Sequence, residues 1–155
     1  MGRWERLQEN AAKSKAGAWF FVHVASRIDP LLLRASRGKV SIAVGQPVAL
    51  LTHRGAKSGV ERRTPLLYVD DGKRLVFIAS NGGSPHHPAW YHNLRAHPEV
   101  RILSRKGERT YVAREAEGPE REELWRRAND LYGGYDAYQQ RAGRRRIPVM
   151  VCEPR

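Results

Sequence analysis

The 155-residue chain has a single cysteine, Cys152, which excludes an internal disulfide framework and any multi-cysteine zinc or iron–sulfur site. It also lacks long apolar runs. Its most apolar stretch, residues 17–26, is interrupted by His23 and is too short to span a bilayer. Residues 1–9 carry charges of both signs and lead into no apolar signal region with a cleavage site, so no secretion leader is expected. There are no internal repeats and no low-complexity segment. Acidic residues are the scarcest class relative to their counterpart. Sixteen Asp+Glu stand against 28 Lys+Arg, for a net charge of +12.

The content that remains is that of a folded domain, 41% hydrophobic and 28% charged. At this length one domain buries roughly 68–70% of its unfolded surface, enough for a core without staples. The charge is uneven: net +5 over residues 1–47, +6 over 48–113 and +1 over 114–155. A basic excess of this size calls for an anionic partner: nucleic acid, anionic lipid, or a cofactor rich in phosphate or carboxylate. The only like-charge block is Arg144-Arg145-Arg146, and no helix-turn-helix, RRM or zinc pattern occurs. Nucleic acid is therefore not expected.

Periodicity sets out the elements. Trp4, Leu7, Ala11 and Ala12 have helical spacing, which predicts an N-terminal helix over residues 1–30 that Asp29-Pro30 breaks. Its Trp19, Phe20 and Phe21 suit either packing on the domain or peripheral contact with an anionic membrane. Residues 34–46 read as loop, with a short strand over Val40 to Val44. From residue 45 to 155 the pattern becomes that of one domain. Strands are predicted at Val48–Thr52, Thr64–Val69 and Leu75–Ala79, with a turn at Asp70-Asp71-Gly72-Lys73. A short helix over Ala89–His97 follows, then a hairpin of Val100–Leu103 with Arg109–Arg114. Pro119 opens a longer helix that Gly133-Gly134 ends, a short helix spans Asp136–Arg141, and Ile147–Cys152 is the last strand. Hairpins with interleaved helices indicate an α+β fold built on a small barrel or strongly curled sheet.

Three constellations carry chemistry. In Arg54-Gly55-Ala56-Lys57-Ser58-Gly59 the glycines allow amides to converge, and Lys57, Ser58 and Arg62 add donors for a phosphate or carboxylate. The alternative is a plain exposed hairpin loop. It is not a Walker A loop, because no helix pattern follows Gly59. Ser80-Asn81-Gly82-Gly83-Ser84-Pro85 leaves a strand end and allows backbone to approach a flat ligand. His86, His87, His92 and His97 lack the spacing of a metal site, and no metal is expected. Tyr132, Tyr135 and Tyr138 recur every three residues and suit either the wall of an aromatic site or simple packing. Cys152 is expected to be a small core residue.

Residues 50–59, Arg63 to Tyr68, Ala79 to Gly83, His87 to Leu94 and Ile147 to Pro154 together resemble the deazaflavin (F420)-dependent nitroreductase family, F420H2-dependent quinone reductases included. The resemblance runs in unbroken order over residues 45–155. It implies a split β-barrel of the FMN-binding type and, as cofactor, coenzyme F420: a flat deazaflavin carrying a phosphate and an oligoglutamate tail. By motif position it implies that Lys57, Ser58 and Gly59 hold the phosphate or tail, with Arg54 or Arg62 standing in where many members have Arg and this chain has Ala56. It further implies that Thr64, Pro65, Ser80, Asn81 and Trp90 shape the deazaflavin pocket. Asn81 stands where many members carry Lys. Tyr132, Tyr135 and Tyr138 fall where the family borders its acceptor, a quinone or nitroaromatic, with Ser80 and Tyr135 as catalytic donors. A non-catalytic F420 carrier and an FMN-dependent reductase on the same fold are the competing readings.

Overall fold

The computed structural model describes residues 26–37 and 46–155. The membrane-contact expectation for Trp19, Phe20 and Phe21, residues 1–25 of the helix expected over 1–30, and the strand at Val40–Val44 lie outside the described residues. A helix α1 (Ser26–Ala35) precedes β1 (Val48–Arg54), β2 (Glu61–Leu67), β3 (Val69–Asp71) and β4 (Arg74–Ile78). A 3₁₀ turn at Asn81–Gly83 leads to α2 (Ala89–Ala96), then β5 (Glu99–Ser104) and β6 (Gly107–Glu115). Helices α3 (Gly118–Leu131) and α4 (Tyr135–Ala142) and strand β7 (Val149–Pro154) complete the chain.

All seven strands form one antiparallel sheet in the order β2-β1-β5-β6-β7-β4-β3. The sheet curls until β2 meets β4, giving the α+β split barrel that the resemblance implies. Alternation along each strand feeds two cores. In β4, Leu75 and Phe77 point into the barrel interior with Leu51, Ile102, Tyr111, Met150 and Cys152. Val76 and Ile78 point the other way, against Leu124 and Ala128 of α3 and Tyr135 and Tyr138 of α4. The sheet is thus covered on both faces there, which is why these strands read as continuous apolar runs. Cys152 is fully buried in the interior, and burial pushes its thiol up to about 12.

Two elements differ from the pattern read in the sequence. The helix does not stop at Asp29-Pro30; α1 runs through Pro30 to Ala35. Proline costs that helix one intrahelical hydrogen bond, whereas Leu33 is fully buried against Val48 and Leu50. The packing outweighs the local preference. The turn expected at residues 70–73 is tighter, at Gly72-Lys73, and leaves Val69–Asp71 as a separate short strand paired with Arg74–Val76. Gly72, at φ 68°, takes the left-handed position of that turn.

Charges fix α3 across the sheet. Glu120 accepts hydrogen bonds from Arg114 at 2.6 and 3.0 Å and from Arg74 at 3.1 Å, and these hold its carboxyl down to about 2. Asp71 accepts from both Arg127 and Arg74, which holds its carboxyl below the usual range. Arg121, though buried, donates to the Ile147 carbonyl at 2.7 Å and stacks over Trp125.

Truncating Leu33 tests the packing account of α1. Leu33→Ala is expected to cost about 2–5 kcal/mol by the cavity rule, read as a lower urea midpoint. A loss under about 0.5 kcal/mol would contradict it.

Candidate functional site

The glycine loop sits at the β1–β2 hairpin. Gly55 donates to the Val60 carbonyl, Gly59 donates back to the Gly55 carbonyl, and Val60 N–H donates to Ser58 Oγ at 3.2 Å. These bonds fold the loop onto itself. Gly59 takes φ 67°, a conformation that favours glycine, and a Cβ at Gly55 would lie 2.4 Å from Ser58 Oγ and displace the hydroxyl that holds Val60 N–H. The amides of Lys57 and Ser58 have no acceptor among the described residues. Arg54, Lys57 and Arg62 are exposed and have no carboxylate partner among them. Arg63, by contrast, pairs with Glu61 at 3.3 Å.

The loop is anchored from below by a residue the sequence reading did not single out. Asn93 of α2 is 6% exposed; its Oδ1 accepts from Ala56 N–H at 2.8 Å, and its Nδ2 lies 3.0 Å from His53 Nδ1. His53, 3% exposed, has its other ring nitrogen 2.9 Å from Thr64 Oγ1. Burial, then the nearby Arg62 charge, pull the His53 pKa down to about 4. One polar residue at an inward-facing position of an apolar strand is the signal that marks His53.

Thr64 and Pro65 are half-buried on β2. Trp90 is 6% exposed and packs edge-on to Phe77 at 6.4 Å, so in this structure it belongs to the barrel core.

The second loop, residues 79–87, depends on Arg145. Its guanidinium donates to the carbonyls of Ser80 (2.6 Å), Ser84 (2.9 Å) and Ala79 (3.1 Å) and lies 3.0 Å from His87 Nδ1. Arg145, the middle residue of the Arg144-Arg145-Arg146 block, is half-buried and shapes the loop. Gly83, at φ 80°, lies against α4, where a Cβ would come within 2.9 Å of the Tyr138 carbonyl oxygen. Asn81 takes φ 47° and donates from Nδ2 to the His86 carbonyl at 3.0 Å. Ser80 and Asn81 are both half-buried. This loop runs straight into α2, the helix that carries Asn93, so one eight-residue helix holds both loops.

The three tyrosines come together but point inward. Tyr132, Tyr135 and Tyr138 are 5–6% exposed, and the Tyr132 and Tyr138 hydroxyls are 3.0 Å apart. Burial drives the Tyr135 pKa well above its usual value, and its hydroxyl has no hydrogen-bond partner among the described residues. A second basic region lies beside α1, where a half-open cavity of about 450 Å³ is lined by Arg34, Arg37, Arg63, Arg101, Thr52 and others. Among the described residues no cluster of His, Cys, Asp and Glu suits a metal, and no helix is long and apolar enough to cross a membrane.

A small split barrel presenting a cation-rich glycine loop beside half-buried β2 residues belongs to the class that holds an anionic cofactor. The family model described as F420H(2)-dependent quinone reductase matches residues 25–154, and the chain belongs to that family. It is similar to an F420H(2)-dependent quinone reductase of Mycobacterium tuberculosis, 34% identical over 145 residues, covering 88% of this chain and 97% of that protein. Among solved structures it is similar to an F420-H2 dependent reductase (FDR-A) at 41% identity and TM-score 0.62, covering 69% of this chain and 94% of the other. It is also similar to a chain solved as a domain-swapped dimer, at 36% identity and TM-score 0.65, covering 82% and 97%.

A buried neutral histidine makes a pH prediction. Folded His53 titrates near 4 and unfolded histidine near 6.5. Between those values the unfolded chain binds more protons, so stability falls as pH drops from about 6.5 to 4, by about 3 kcal/mol in total. In urea melts from pH 7 to 4.5, His53→Gln is expected to lose about 2–3 kcal/mol less than the wild type. Parallel pH profiles would contradict the assignment.

Proposed function

We propose that this chain binds reduced F420 across its two loops and passes a hydride to a quinone. The observation that carries the reading is the pair of amides at Lys57 and Ser58 that have no acceptor among the described residues, flanked by Arg54, Lys57 and Arg62, which have no carboxylate partner among the described residues. That donor set fits the cofactor's phosphate and oligoglutamate tail. The family to which the chain belongs, and the names of its relatives, support the same cofactor and acceptor.

When bound, the reduced deazaflavin supplies the hydride. The protein's part is to bind, orient and donate. Lys57, Ser58 and Gly59 hold the anionic end, with Arg54 and Arg62 adding charge where Ala56 offers none. Thr64 of β2 and the Ser80-Asn81 backbone border the flat ring, over a floor stiffened by Trp90, while Pro65, on the opposite face of β2 beside Leu50, shapes the pocket by stiffening the strand. Arg145 holds the Ser80 and Ala79 carbonyls by hydrogen bonds and so fixes the backbone of that loop. Ser80 donates a hydrogen bond near the reacting atoms. Burial keeps Tyr135 a phenol; for it to donate a hydrogen bond or proton to the quinone oxygen, and for Tyr132 and Tyr138 to border the acceptor, these buried rings must open toward the ligand.

The test follows oxidation of reduced F420 by menadione with purified protein. Turnover above the enzyme-free control is expected. Tight binding without acceptor-dependent oxidation would make the chain a carrier and overturn the reading. Lys57→Ala is expected to raise the Kd for F420 roughly 5- to 20-fold with kcat at saturation changed less than about 2-fold, as befits uniform binding.

A further inference from the structure

We propose that His53 and Asn93 are positioning residues that fix the Thr64 hydroxyl as a hydrogen-bond donor toward the bound cofactor. The inference rests on the F420 reading above and adds what the buried chain of polar groups does within it.

The direction of each bond follows from its neighbour. Ala56 N–H can only donate, so the atom of Asn93 2.8 Å from it must be the carbonyl oxygen. That fixes the carboxamide, whose NH₂ then lies 3.0 Å from His53 Nδ1. An NH₂ donor requires an unprotonated Nδ1. A neutral imidazole carries one proton, which must therefore sit on Nε2. Nε2–H points at Thr64 Oγ1, 2.9 Å away, and donates to it. Thr64 Oγ1 is thereby an acceptor on the protein side, and its own proton is left to donate elsewhere. No acceptor for it exists among the described residues.

Place and environment agree with that direction. In the β1–β2 register Thr64 lies opposite Leu51 and His53 opposite Arg62, on the barrel-facing side of both strands. The charged group acting on His53 is Arg62; it and the near-complete burial of the ring both favour the neutral form. Asn93 comes from α2, which is fed by the Ser80–His87 loop. Thr64 therefore reports the same anchor that holds the glycine loop. The atom it meets must be an acceptor: a ring carbonyl or unprotonated ring nitrogen of the deazaflavin, or a phosphate oxygen.

Two measurements test this independently. Nitrogen NMR of the cofactor-free protein at pH 7 is expected to show His53 as the Nε2–H tautomer. An Nδ1–H tautomer or a doubly protonated ring would overturn the proposal whatever the protein binds. Fluorescence titration then compares variants: Thr64→Val is expected to weaken F420 about 10-fold or more, and Thr64→Ser to stay within about 3-fold. Thr64→Val binding as tightly as the wild type, with the His53 tautomer unchanged, would overturn the donor role. Repeating the titration with the phosphate-free deazaflavin nucleoside locates the acceptor: a retained penalty assigns it to the ring, a lost penalty to the phosphate. If the wild type binds no F420, the function reading and the ligand half of this proposal fall together, while the His53 spectrum still decides the relay.

Discussion

The buried carboxamide of Asn93 is the contact on which the site depends. It satisfies the Ala56 amide inside a tight glycine loop, faces the buried His53 ring, and does both from a helix whose first residues leave the 79–87 loop. A polar group buried at 6% exposure is tolerable only when its bonds are made. Each partner here supplies one that water no longer can. Removing the carboxamide would strand the Ala56 N–H and unhook the hairpin from the barrel interior. Local geometry at the ligand-facing loops is thus set by a contact between residues 37 positions apart.

The charge distribution makes sense on this frame. Most acidic groups are spent on structure: Glu120 and Asp71 each join two arginines, tying α3 to the sheet. Arg121 and Arg145 are drawn inward and satisfied by backbone carbonyls. Among the described residues, the cations left without a carboxylate include Arg54, Lys57 and Arg62 at the loop tip and Arg34 and Arg37 beside α1, with Lys73, Arg105, Arg109 and Arg144 spread elsewhere over the surface. The loop-tip cluster is the part of that excess that sits on a ligand-type glycine loop.

Much of this was legible from residue pattern alone. Hairpins, the Pro-initiated helix and the buried Cys152 follow from alternation and turn chemistry, because there local preference and tertiary packing agree. The departures arise where they conflict. Pro30 should end a helix, but Leu33 has a pocket to fill. Tyr132, Tyr135 and Tyr138 share a spacing that suits a rim or a core equally, and only the packing of α4 against the sheet turned them inward. Trp90 is in the core because the barrel interior needs a large ring beside Phe77. Arg145 and Asn93 carry no pattern of their own; their roles exist only once the loops they hold are in place. The positions carrying the family motif are found by likeness, but the reason for their geometry is not.

In the mechanism proposed above, one ligand engages both loops through the shared helix. Hydrogen–deuterium exchange on the protein with and without F420 tests it most directly. Joint protection of the 55–59 amides and the 79–87 loop, with slowed exchange at the α2 amides, is the expected result. Protection confined to the α1 face around Arg34 and Arg37, with both loops exchanging as before, would contradict it.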